Sequence, residues 1–131
     1  MKKIFQNWGP VLVYFILIFI GSSIPVQVKP GVDKVLHILE YGLMGFFTAR
    51  GVLLTWDLPK VWGCLLGTLM AGSLGVLDEI HQYFVPGRSS SVYDAMADFT
   101  GALLGALCFV MLGSLLYRSD KLYSRPHDSC C

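Results

Sequence analysis

Charge is scarce in this sequence. Of 131 residues, only 15% are Asp, Glu, Lys or Arg, against about 25% in a soluble domain. The two signs nearly cancel, with 10 basic and 9 acidic side chains and a net charge of +1. No basic surplus is left to hold nucleic acid, and no acidic tail is present. Cysteine is also sparse. The 4 cysteines form no CxxC pair and no Cys/His spacing suited to zinc. Cys64 and Cys108 sit in apolar runs as small core residues. The alternating pattern of outer-membrane strands is missing as well. So are any low-complexity tract and any long linker.

What fills the chain instead is apolar: 54% of it is hydrophobic. One small soluble domain could not bury that much apolar surface, but a bilayer can cover it. Four stretches approach the roughly 20 residues that span a membrane as a helix. They run from about Trp8 to Ile24, Asp33 to Leu54, Val61 to Leu77 (continuing as a mixed helix toward Phe84), and Asp94 to Tyr117. Pro25, Pro30 and Gly31 divide the first pair. Asp57 and Pro59 divide the second, and Pro86, Gly87 and Ser89 to Ser91 divide the third. The expected fold is all-α, an integral membrane bundle of four transmembrane helices over residues 1–118. A polar cytoplasmic tail over 119–131 follows.

An even number of spans puts both termini on one side. That side carries Lys2, Lys3, Arg50, Lys60, Arg118, Lys121 and Arg125, while the other carries only Lys29, Lys34 and Arg88. Positive charge favours the cytoplasm, so both termini are expected there, in a multi-pass protein of a bacterial cytoplasmic membrane. The first stretch lacks a clear small-x-small cleavage site, and losing it would leave an odd number of spans, which disfavours a signal peptide. Cys130 and Cys131 then face a compartment where disulfides are disfavoured. Trp8, Trp56, Trp62 and Tyr117 suit interfacial anchors.

The polar residues inside these stretches gather at the other face. At 100° per residue, Asp33, His37, Glu40 and Tyr41 share one side of the second helix. Asp78 and Gln82 share a side near the end of the third. Gly63, Gly67, Ala71 and Gly75 lead along that side, and small residues at this spacing let helices approach closely. Asp94 and Asp98 begin the fourth helix, followed by Gly101 and Gly105. Asp94 suits a first turn, whereas Asp98 lies one turn deeper. The loop between the last two helices holds Arg88 among Ser89, Ser90 and Ser91, a composition suited to a phosphate or carboxylate. Ionisable groups within a bilayer are expensive and usually functional.

The combined pattern resembles the VanZ-like family. It comprises Asp33-Lys34-x-x-His37 with Tyr41, then Asp78-Glu79-x-x-Gln82-x-Phe84-x-Pro86-Gly87-Arg88-x-x-x-x-x-Asp94, then Asp98 with Gly101, within roughly residues 10 to 117. The resemblance implies a small bacterial membrane protein with an envelope role, since the family's namesake is associated with teicoplanin resistance. It supplies no reaction. The family position of Asp98 often carries Asn, and His81 falls on an unspecified position.

Two functions fit these residues. One is an enzyme, a phosphoryl or acyl hydrolase or transferase, acting on a lipid headgroup or lipid-linked envelope precursor. Asp33, His37, Asp78, Arg88 and Asp94 are its candidate catalytic groups. Tyr41, Gln82, Arg88 and Ser89 are candidate substrate-binding groups. Six carboxylates (Asp33, Glu40, Asp78, Glu79, Asp94 and Asp98) cannot all stay ionised together in a low dielectric. Either protons are shared, which supplies acids and bases, or a divalent metal ion neutralises the cluster through Asp33, His37, Asp78 and Asp94. Glu40, Glu79 and Asp98 stand behind these as secondary candidates. The other function is a non-catalytic membrane protein that binds the same ligands and alters glycopeptide susceptibility. The plainer reading of Lys34, Glu79 and His81 is a set of solvated charges at helix ends.

Overall fold

The computed structural model describes residues 2–25 and 31–123, with side chains up to residue 113. Lys29, Arg125, Cys130 and Cys131 lie outside the described residues, as do the side chains of Tyr117, Arg118 and Lys121. The described chain is four helices: α1 (Lys2–Ser22), α2 (Val32–Thr55), α3 (Lys60–Phe84) and α4 (Val92–Tyr123). Three segments are long and apolar enough to cross a membrane: Lys2–Ser22, Lys60–Phe84 and Val92–Gly113. The first helix starts earlier than its apolar run and carries Pro10 inside it. The last continues as helix through residues 119–123, which the sequence assigns to the tail.

α2 has the length to span but carries Asp33, Lys34, His37, Glu40 and Arg50. Its place in the bundle explains why it tolerates them. α2 packs against all three other helices, while α1 and α4 do not meet among the described residues. The most polar helix is therefore the central one, shielded by its neighbours. Large apolar side chains turn outward instead, among them Leu17, Leu39, Leu69 and Leu104. This inside-out distribution is what a lipid surround selects.

Close backbone approach sets the packing. A Cβ built on Gly105 would overlap the carbonyl of Gly42, one on Gly101 that of Ile38, and one on Gly45 the backbone of Ala102. α2 and α4 thus touch main chain to main chain and run parallel. The glycine stripe of α3 does similar work: Gly67 lies against the Ala49 backbone and Gly75 against the Asp98 carboxylate. Thr48 ties α2 to α3 by donating to the Gly67 carbonyl at 2.8 Å. At the end holding residue 2, Trp8 donates to Thr55 at 2.9 Å and packs edge-on against Trp56. Residue 2 and the end of α4 lie at that end of the bundle. The start of α2, the end of α3 and the start of α4 lie at the other.

Candidate functional site

The end of α1 joins these three at the polar end, and local signals place each piece. Gly31 enters α2 with φ 95 and Gly87 turns the α3–α4 loop with φ 86, both in the left-handed region that glycine tolerates. Ser91 caps α4, its hydroxyl accepting from the Tyr93 N–H at 3.1 Å. Glu79 of α3 accepts from the Ser91 N–H at 3.0 Å. One carboxylate therefore pins to α3 the point where the loop carrying Arg88 enters α4.

At the centre lies His37, 6% exposed. Its Nδ1 donates to Asp98 Oδ1 at 2.8 Å, and Asp98 is completely buried. That bond fixes the ring and aims Nε2 at two more carboxylates, Glu79 Oε1 at 3.9 Å and Asp33 Oδ1 at 4.0 Å. Both distances are too long for hydrogen bonds. Lys34 sits at the mouth, with its ammonium 2.5 Å from Asp94 Oδ1. Asp94 is buried and Lys34 is not.

A second group lies beside the first. Asp78 accepts from the Ser22 hydroxyl at 2.6 Å through one oxygen and from the Gln82 amide at 2.8 Å through the other. Its carboxylate is thus occupied on both sides. Glu40 is partly buried and within electrostatic reach of both groups, with His37, Asp78, Asp98 and Arg88 as its charged neighbours. Arg88 is half-buried, and its Nε has no hydrogen-bond partner among the described residues. Tyr41 is fully buried, its hydroxyl donating to the Leu74 carbonyl at 3.4 Å. Ser89 is exposed.

Among the described residues, two sets of potential donor atoms lie within 4.8 Å of one another: Asp33, His37 and Asp94, and the buried His37, Glu79 and Asp98. Asp78 is in neither set. Three residues of this end were not singled out as candidates from sequence. Ser22 completes Asp78. Ser23 bonds His81 at 2.9 Å, and His81 stacks on Phe19 with ring centroids 3.9 Å apart. Ser91 supplies the cap and the bond to Glu79. A Gly21-Ser22-Ser23 step ending an apolar helix at the polar face is the signal that points to the first two.

A groove of about 380 Å³ opens between α3 and α4 beside this site. Glu79, Ser90 and Ser91 form its polar end, and Val76, Ile80 and Ala95 are among its apolar walls. No curated protein and no solved structure matches the chain. The VanZ/LLP1 family model matches residues 2–115, which include every residue of the polar site. With the apolar helices that frame that site, this match establishes that the chain belongs to the VanZ-like family.

Proposed function

We propose that this protein acts in a bacterial cytoplasmic membrane on a phosphate-bearing lipid headgroup or lipid-linked envelope precursor, as a phosphoryl hydrolase or transferase. The observation that carries the reading is a buried imidazole, fixed through Nδ1 by Asp98 and presenting Nε2 toward the carboxylates of Glu79 and Asp33. Rigid support through one nitrogen leaves the other poised for a ligand. Arg88, with a buried and unpartnered Nε at the polar end, is the anchor for phosphate oxygens. The groove between α3 and α4 supports a lipid substrate, since it joins a polar end to apolar walls. An acyl chain lies along Val76, Ile80 and Ala95 while its headgroup reaches Glu79 and Arg88. The distribution of Lys and Arg supports an extracytoplasmic site with cytoplasmic termini.

The test is reconstitution of the full chain in vesicles containing phospholipid and a polyprenyl-linked diphosphate. Release or transfer of phosphate is then measured. Turnover should be lost in Arg88→Ala and His37→Ala at unchanged protein yield and melting temperature. Saturable binding without turnover would assign the non-catalytic envelope role instead. Loss of neither property in these folded variants would sink both.

A further inference from the structure

α1 and α3 are stitched together at the polar end of the bundle. Ser22 donates to Asp78 at 2.6 Å, Ser23 bonds His81 at 2.9 Å, and Phe19 stacks on the His81 ring. Ile18 closes the seam below them at 2% exposure. Toward the opposite end α1 is held by α2 instead. Asn7 and Trp8 donate to Thr55, and Arg50 donates to the Gln6 carbonyl at 3.4 Å. That carbonyl is free of the helix ladder because Pro10, four residues on, has no N–H.

Between the stitched seam and this opposite end, a cleft of about 610 Å³ opens between α1 and α3. It runs from Ile4 to Phe15 along α1, with Leu74 of α3 on the facing wall, and no charged residue lines it. Its volume is that of a small-molecule site. Ile4 to Phe15 is about 16 Å of helix at 1.5 Å per residue, close to the depth of one leaflet in a hydrocarbon core of about 30 Å. Gly9 lines the cleft and is unlike the glycines of α3. A Cβ on Gly63, Gly67, Gly72 or Gly75 would collide with a neighbouring helix, whereas one on Gly9 would meet only the Phe5 ring at 4.0 Å. Gly9 therefore keeps space open and brings no helix closer.

Two cations stand at the mouth. Lys2 and Lys3 precede Ile4 and Phe5, are exposed, and have no ion-pair partner among the described residues. They occupy the first turn of α1, which contains no acidic residue, although the helix dipole disfavours positive charge there. Among the described side chains, this end carries Lys2, Lys3, Arg50 and Lys60 against Asp57 alone. We propose that the cleft holds one acyl chain of an anionic glycerophospholipid, whose phosphate sits on Lys2 and Lys3. The anion relieves the charge at the mouth and the chain fills the apolar walls. A helix of a second copy fits less well, because its own Lys2 and Lys3 would lie at the same membrane face and repel this pair.

The site lies at the end of the bundle remote from His37 and does not depend on turnover there. Only the leaflet it draws from follows the proposed topology. Full-length protein in detergent is titrated with phosphatidylglycerol alone and with phosphatidylcholine alone, and bound lipid per chain is counted by native mass spectrometry. One phosphatidylglycerol should bind per chain, about 10- to 30-fold more tightly than phosphatidylcholine. The double variant Lys2→Gln, Lys3→Gln should erase that preference, and it alters no packed side chain. Gly9→Phe should weaken binding of both lipids by more than about tenfold, while Leu104→Phe on the outward face of α4 changes it by less than about threefold. The Gly9→Phe melting temperature should equal or exceed that of wild type, since glycine is a poor helix former. Equal affinity for the two lipids overturns the proposal. So does binding indifferent to Gly9→Phe in the folded protein. A two-chain species that Gly9→Phe dissociates would assign the cleft to a second copy and overturn it as well.

Discussion

Two acidic groups sit side by side at one end of this bundle, and they are built differently. Around Asp78, both carboxylate oxygens have donors, Ser22 from α1 and Gln82 from its own helix. Around His37, the carboxylates of Glu79 and Asp98 each keep one buried oxygen unbonded. The first is a finished hydrogen-bond network that ties α1 to α3. The second is a network with a gap. Buried polar groups that are fully satisfied hold a fold together, whereas a partly satisfied group must have another reason to persist. The contrast separates scaffold from site without reference to sequence position.

The comparison can be broken by experiments of decreasing effect. His37→Ala is expected to lower headgroup turnover by about 10²- to 10⁴-fold with a small change in melting temperature. Comparable losses of stability and turnover would make His37 another scaffold residue. Asp78→Ala should do the reverse. Removing that acceptor strands the buried Gln82 amide, leaves the Ser22 hydroxyl only the Phe19 carbonyl, and destabilises the fold by about 1–3 kcal/mol, read by thermal unfolding in detergent. Lys34→Met should lower the melting temperature by less than Asp78→Ala: it leaves the buried Asp94 carboxylate without its ammonium, but that carboxylate sits in the first turn of α4, where free N–H groups and the helix dipole favour it. The smallest effect is expected from Glu79→Gln in chelator-treated protein. The amide oxygen can still accept from Ser91, and the unbonded oxygen is exchanged for an uncharged group. A melting temperature equal to or above wild type supports the gap, and a large drop would show that Glu79 was satisfied after all.

Much of the fold was legible in the chain because its signals are local. Apolar length marked α3 and α4 to within a few residues, and Pro and Gly marked their ends. Helical periodicity placed Gly67, Ala71 and Gly75 on one inward stripe with Asp78 and Gln82, and all five are buried. The start of α1 was less visible, since Lys2, Lys3, Gln6 and Asn7 interrupt the apolar pattern of its first turns. Partner choice was the larger gap. Periodicity says which residues share a face, not which neighbour that face meets. The pairing of Asp78 with Ser22 depends on the rotation of α1, and that of Lys34 with Asp94 on the parallel contact of α2 and α4. Serine at a helix end carries too little pattern to announce itself. The weight of Glu79 and Asp98 likewise emerges only once three helices are brought together.

The backbone contact of α2 with α4 has a mechanical consequence. Gly105 meets Gly42 with no side chain between them. Gly105 lies seven residues along α4 from Asp98, about 10 Å at 1.5 Å per residue, and Gly42 lies five residues along α2 from His37, about 7.5 Å. The two helices are rigid over that length, so the width of their contact acts as a gauge block for the imidazole–carboxylate distance above it. A methyl group added at residue 105 would reset the spacing of the site without touching any member of it.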